Sequence, residues 1–200
     1  SQSFDNALEF LVKSGRNIYD AIMTMIPDSY TKNQTIEKKL RDYFIYHENF
    51  MEPWDGPAAV VFTDGDIVGA KMDRNGLRPL RYSITNDGLV IMASEAGILE
   101  IDDENLVLHH HMKSEEIFGV DLKSGKISNN RTIKKTVSES GPYSELLKKN
   151  LHYIERENPE KEFGVFGIPN SGFDEKIRVA LGWSLEDIDK FIVPMGTNSR

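Results

Sequence analysis

Apolar residues recur along this chain at two spacings, and the change from one to the other divides it. Between Ser1 and Met51 the spacing is helical. Leu8, Leu11 and Val12 lie three and four positions apart in effect on one face, and Ser14-Gly15-Arg16 interrupts them. Ile18, Ala21, Ile22, Met25 and Ile26 make a second stripe. Pro27 ends it, because proline has no N–H to continue the ladder. Leu40, Tyr43, Phe44 and His47 mark a third helix. The methionines and aromatics of these stripes read as core.

From Gly56 to about Lys126 the apolar runs are short and rich in β-branched residues: AAVVF, IVGAKM, LRYSI and LVIMAS. Asp64-Gly65 and Asp87-Gly88 sit between neighbouring runs, the chemistry of tight hairpins. Leu106–Leu108 and Ile117–Leu122 continue the pattern, and Ser124-Gly125 marks another turn. An antiparallel sheet over residues 56–122 is predicted. AAVVF and LVIMA are apolar on both faces, so each side of the sheet needs a cover.

After Asn129 the pattern changes again. Asn129, Asn130, Arg131, Lys134 and Lys135 read as solvated, and Tyr143 to Glu157 as one amphipathic helix. FGVFGIPNSGF reads as a glycine-rich linker, since no Gly-Lys-Ser/Thr follows to make it a phosphate loop. Lys176–Leu181 and Leu185–Val193 read as two short helices, the second capped by Ser184 ahead of Glu186 and Asp187.

Composition narrows the chemistry. The net charge of −8 and the lack of any basic run argue against nucleic acid and against an anionic membrane surface. No run approaches the roughly 20 apolar residues of a membrane span, and the first residues do not read as a signal peptide. There is no cysteine, which removes disulfides, thiolate metal sites and cysteine nucleophiles, and fits a cytoplasmic or organelle-stroma protein. His109, His110 and His111 do not read as a metal site: on a strand only His109 and His111 share a face, and zinc takes three or four converging ligands.

Five segments, in order, carry a family resemblance: SQSFDNALEFLVKSGR from Ser1, MEPWDGPAAVVFTDG from Met51, DRNGLRPLRY from Asp73, ASEAG from Ala93 and LGWSLEDIDKFIVPMG from Leu181. Together they resemble the glutamine amidotransferase region of glutamate synthase large subunits. The resemblance implies an α+β fold, part of an N-terminal-nucleophile hydrolase αββα sandwich with antiparallel sheets, plus a C-terminal helical extension. It implies that residues 1–128 are the later part of the amidotransferase domain, helical over 1–51 and sheet over 56–126. Residues 129–200 would be a linker and the start of the synthase's central domain.

In that family a cysteine attacks the glutamine side-chain amide, ammonia leaves, and water releases glutamate. The ammonia then aminates 2-oxoglutarate in a flavin domain. The resemblance places the cysteine, the carboxylate-binding arginine and the Asn-Gly oxyanion pair upstream of the matched text, and the amine-binding aspartate just before Ser1. No catalytic residue and no metal ligand is therefore assigned in this chain, and it is expected to be inactive alone. Ser1 offers an amine beside a hydroxyl, but it opens helical sequence rather than a strand; with Asp5 it is assigned to the neighbourhood of the substrate pocket. Trp54, Asp55, Gly56, Asp73, Arg74, Asn75, Gly76, Arg78, Ser94 and Glu95 belong to the motifs and read as structural, with Arg78 and Glu95 expected to pair across two strands. FMN and an iron–sulfur cluster are implied for other domains of the parent enzyme. Glutamine is the implied ligand of the parent domain, and the implied partners are those domains, or an upstream polypeptide carrying the cysteine. The different reading is a non-catalytic structural module that completes a site with that polypeptide.

Overall fold

Each Asp-Gly or Ser-Gly pair in the sheet region closes a hairpin. The computed structural model describes residues 2–31, 33, 35–153 and 175–198. In it β1 (Ala59–Thr63) turns at Gly65 into β2 (Ile67–Met72), and β3 (Arg81–Thr85) turns at Gly88 into β4 (Val90–Ala93). β5 (Leu106–His111) follows, then β6 (Ile117–Asp121), which turns at Gly125 into β7 (Ile127–Ser128). Gly65, Gly88 and Gly125 all have positive φ, which glycine adopts without the Cβ clash.

The strands form two antiparallel sheets rather than one. β1-β2-β6-β7 make a four-stranded sheet, and β4-β3-β5 a three-stranded one. Alternation along the strands sorts side chains between two cores. Phe62 and Ile117 face the helices, where they meet Ile18, Ile22, Tyr43 and Phe44. Ala70, Met72, Phe118 and Val120 face the second sheet and meet Leu80, Tyr82 and Met112, with Tyr82 stacked on Phe118 at 3.9 Å. The four-stranded sheet is thus covered on both faces, as its apolar strands require. Burying each of these large side chains contributes about 1.5–3 kcal/mol.

The helical layer comprises α1 (Gln2–Lys13), α2 (Ile18–Met25), α3 (Lys38–Glu48) and α4 (Asn130–Ser138), with α5 (Tyr143–Asn150) packed against α3. The three N-terminal helices lie where the stripes put them. Of the residues read as solvated, Asn129, Arg131 and Lys135 are exposed, but the Lys134 side chain is only 13% exposed, and α4 buries Ile133 and Val137 in the helical core. One compact unit runs from Ser1 to Leu151 and so includes α4 and α5. The helix expected to reach Glu157 ends at Asn150, and the last residues of that span lie outside the described ones, as does FGVFGIPNSGF.

The second unit, His152–Arg200, holds α6 (Glu175–Ala180), α7 (Leu185–Asp187), a π turn at Ile188–Ile192 and α8 (Val193–Asn198). Ser184 caps α7 as expected. Its hydroxyl accepts from the Asp187 N–H at 3.1 Å, and its own N–H donates to the Asp187 carboxylate at 2.8 Å.

A polar group inside the helical core predicts pH dependence. His47 is buried; its Nδ1–H donates to the Tyr43 carbonyl at 2.9 Å, which leaves Nε2 to accept from Arg16 at 3.0 Å. Burial pushes the imidazole below its ordinary range, outweighing the Tyr43 carbonyl and Asp20, which favour the charged form; the Arg16 charge pushes the same way as burial. The unfolded chain therefore binds a proton more readily than the native one. The stability His47 lends is fully present above its unfolded value near pH 6.5 and is lost as the pH falls toward the folded value. Urea denaturation is expected to show stability declining from pH 7.5 to pH 5.5, and a flatter profile in a His47→Gln variant.

Candidate functional site

The family-like segments converge through main-chain and side-chain bonds. The Trp54 N–H donates to the Met25 carbonyl at the end of α2 at 2.9 Å, and the Trp54 ring meets Phe4 of α1 edge-on at 5.6 Å. Next to it, the Asp55 carboxylate pairs with Arg74 at 2.8 Å. Asp73 is buried, and its N–H donates to the Ala58 carbonyl at 3.1 Å. WDG and DRNG, far apart in sequence, thus form one loop pair.

Asp73 is the centre of the DRNG turn. Its carboxylate accepts from the Asn75 N–H at 3.0 Å, from Asn75 Nδ2 at 2.8 Å and from the Gly76 N–H at 3.1 Å. Burial alone would push this carboxyl up, but the donors together hold it below the ordinary range. Gly76 has φ +62°, and a Cβ there would lie 2.8 Å from the Ser114 Cβ, so the turn needs glycine on both counts.

Beside this loop pair lies a cleft of about 570 Å³, lined by Phe4, Ile26, the Trp54–Ala58 loop, β1 and Arg78. β1 is the edge strand of its sheet. The cleft offers an indole face, edge backbone groups, the Arg78 guanidinium and the Asp55 carboxylate, the last already paired with Arg74. Trp54, Asp55, Gly56 and Arg78 are therefore gathered at one place, next to Asp73, Arg74, Asn75 and Gly76. Asp5 is exposed in the first turn of α1, and Ser1 lies outside the described residues.

Ser94 and Glu95 are elsewhere, in the bend after β4, where Glu95 lines a different cleft with Arg81. No ion pair joins Arg78 to Glu95, and both are exposed. The expectation failed because Arg78 lies in the connection from β2 to β3, not on a strand. Its apolar neighbour Leu77, which argued for burial, is 73% exposed.

The buried charges are others, and the sequence reading missed them. Lys71 on β2 is wholly buried and donates to Asp28 at 2.7 Å and to the Glu115 carbonyl at 2.8 Å. Lys134 of α4 reaches the other Asp28 oxygen at 2.6 Å and the same carbonyl at 2.9 Å. Burial pushes the Lys71 ammonium below its ordinary range, against the opposite pull of Asp28. Glu115 has φ +66°, which aims its carbonyl at both lysines, while its N–H donates to the Asp73 carbonyl at 2.9 Å. The charge cluster thereby supports the DRNG loop. The signal was present: in IVGAKM the strand period puts Lys71 on the face of Ile67, toward the helices.

Residues 1–146 match the sequence profile of the class-II glutamine amidotransferases. The chain belongs to that family. It is 36% identical over 98% of its length to the large chain of the NADPH glutamate synthase of Bacillus subtilis (strain 168). It is 36% identical over its full length to ferredoxin-dependent glutamate synthase 2 of Synechocystis sp., and 35% to the chloroplastic ferredoxin-dependent glutamate synthase of Spinacia oleracea. It spans 12%, 13% and 12% of those relatives. As a class-II amidotransferase it shows the helices and antiparallel sheets that the resemblance implied. An iron–sulfur cluster does not fit its donors, because such clusters take cysteine thiolates and the chain has none. Among the described residues no three His, Asp or Glu side chains converge as a metal site, and no helix is long and apolar enough to cross a membrane.

Proposed function

We propose that this chain is part of the glutaminase region of a glutamate synthase, the region that hydrolyses glutamine to glutamate and supplies ammonia for reductive amination of 2-oxoglutarate. The observation that carries this reading is the similarity to glutamate synthases over essentially the whole chain, beyond the end of the amidotransferase match at residue 146. On this reading residues past that point lead into the synthase's central domain. FMN and the iron–sulfur cluster belong to domains outside these 200 residues, in a parent enzyme of the cytoplasm or an organelle stroma.

The chain's own part is to hold the sheets and the cleft beside Trp54 and Arg78 in shape. Acyl transfer from glutamine needs a nucleophile with a base and donors for the oxyanion. With no cysteine in the chain, the nucleophile comes from outside it. The non-catalytic reading, a module that completes a site with a separate polypeptide, rests on the same absence.

The chain alone is expected to release no ammonia from glutamine above the uncatalysed background. A coupled ammonia assay on the purified chain tests this. Turnover that disappears in a Ser1→Ala variant would overturn the reading and make Ser1 the nucleophile.

A further inference from the structure

Asn75-Gly76 is the only asparagine–glycine step in the chain. Asparagine is a thermolabile residue, and most so before glycine. Glycine has no Cβ to shield its amide nitrogen from the side chain before it. The chemistry is an internal displacement. The Gly76 nitrogen gives its proton to solvent base and bonds to Asn75 Cγ. The Cγ–Nδ2 bond breaks, ammonia leaves with a proton taken from solvent, and a cyclic succinimide remains. Water then opens the ring at either carbonyl, giving aspartate or isoaspartate at position 75. Asn75 is exposed, so water and base reach it.

The folded turn ties up both reacting groups with one side chain. The Gly76 N–H donates to Asp73 Oδ1 at 3.1 Å, and Asn75 Nδ2 donates to Asp73 Oδ2 at 2.8 Å. Against the upward push of burial, these donors and the Asn75 N–H hold the Asp73 carboxyl below its ordinary range, so it is ionised at neutral pH. A fixed negative charge beside the Gly76 nitrogen opposes an amide anion there. The carboxylate is itself anchored. Asp73 is buried, its N–H donates to the Ala58 carbonyl at 3.1 Å, and its carbonyl accepts from the Glu115 N–H at 2.9 Å.

We propose that Asn75 is a deamidation site held closed by the Asp73 carboxylate, and that the DRNG turn loses its shape irreversibly once that clamp opens. The product accounts for the irreversibility: a carboxylate at position 75 cannot donate to Asp73 and repels it. Asp73 is bonded to Ala58, and Arg74 to Asp55, so the change passes to the loop that carries Trp54. This chemistry belongs to the chain itself and does not depend on the glutaminase reading.

Peptide mapping by mass spectrometry, after incubation at about pH 8, reads the conversion in the tryptic peptide that begins at Asn75. In the intact chain it is expected to run at least about tenfold slower than in a synthetic peptide of residues 70–81, because two bonds to a charged acceptor must break first. Asp73→Asn, which keeps the shape and loses the charge, is expected to recover most of the peptide's rate. Arg74→Ala removes the neighbouring Asp55 pair, leaves the clamp, and is expected to keep the wild-type rate. Urea denaturation establishes that each variant is folded under the incubation conditions. Should Asp73→Asn not fold, Asn75→Asp tests the same carboxylate from the other side: its urea midpoint is expected to lie below that of Asn75→Ala, since only the former adds a like charge. Equal rates in chain and peptide, an unchanged rate in folded Asp73→Asn, an equal acceleration by Arg74→Ala, or Asn75→Asp as stable as Asn75→Ala would each overturn the proposal.

Discussion

An Asp28→Ala variant is expected to lose about 3–5 kcal/mol of stability at neutral pH. Among the described residues, Asp28 is the one carboxylate bonded to both Lys71 and Lys134. Without it, a wholly buried ammonium keeps, among the described residues, the Glu115 carbonyl alone and faces a second ammonium across the space the carboxylate filled. Lys71, wholly buried, cannot rotate into water without opening the seam between β2, α4 and the helical core, whereas Lys134 lies at the edge of an open cleft. Lys71→Met is expected to cost less, because it removes the charge together with its need for a partner. The pH dependence separates this cause from a simple packing defect. Lys71 already titrates below its ordinary value of 10.5, so the native state sheds the proton before the unfolded chain does. Stability is thus gained as the pH rises from the folded value toward 10.5. Loss of Asp28 lowers the folded value further, so the deficit of Asp28→Ala is expected to shrink markedly by about pH 10. Urea denaturation at both pH values is the measurement. A deficit that does not change with pH would mean that the lost contacts, not the stranded charge, carry the cost.

The second large effect is expected from Gly69→Ala. Phe62, Gly69 and Gly119 stand side by side across β1, β2 and β6 on the helix-facing side of the sheet. The two glycines leave a trough in which the Phe62 and Tyr19 rings lie edge to face, 6.1 Å apart. A Cβ on Gly69 would sit 2.4 Å from the Phe62 ring and 2.7 Å from the Phe118 carbonyl oxygen. The second contact is backbone and cannot swing aside, so strands must part; the expected loss is about 2–3 kcal/mol. The three atoms nearest a Cβ on Gly119 all belong to Tyr19, the nearest being its hydroxyl oxygen at 2.1 Å. Tyr19 is partly exposed and can turn outward, so Gly119→Ala is expected to cost about 1 kcal/mol. Thermal melts of the two variants give the order. The reverse order would show that the ring, rather than the carbonyl, is the rigid wall.

Much of the architecture was legible because it depends on local chemistry. Asp64-Gly65, Asp87-Gly88 and Ser124-Gly125 need only their own backbone preferences to turn, and Ser184 needs only the acidic residue three positions on. His109 and His111 share a face as strand geometry requires, with rings 5.3 Å apart. Which strands share a sheet was not legible. β5 and β6 are adjacent in sequence, yet β5 joins β3 and β6 joins β2. No turn residue encodes that choice; it follows from Phe118 and Tyr82 stacking between sheets. The site was readable as motifs but not as geometry. Nothing near Asp55 in sequence announces Arg74, whereas Leu77 and Pro79 suggested a burial for Arg78 that the connection does not provide. A lone lysine in an apolar strand proved a better sign of buried charge than a pair of charges in recognisable motifs.

The two tryptophans fall one to each unit, Trp54 within 1–151 and Trp183 within 152–200. A Trp183→Phe chain would therefore emit from the amidotransferase unit alone, and from the wall of the cleft beside Arg78. Because the Trp54 indole is 38% exposed and held against Phe4, anything that enters beside it changes both its contact with water and its ring neighbour. The unit thus carries a built-in optical reporter in the wall of that cleft, readable in a cuvette without a label.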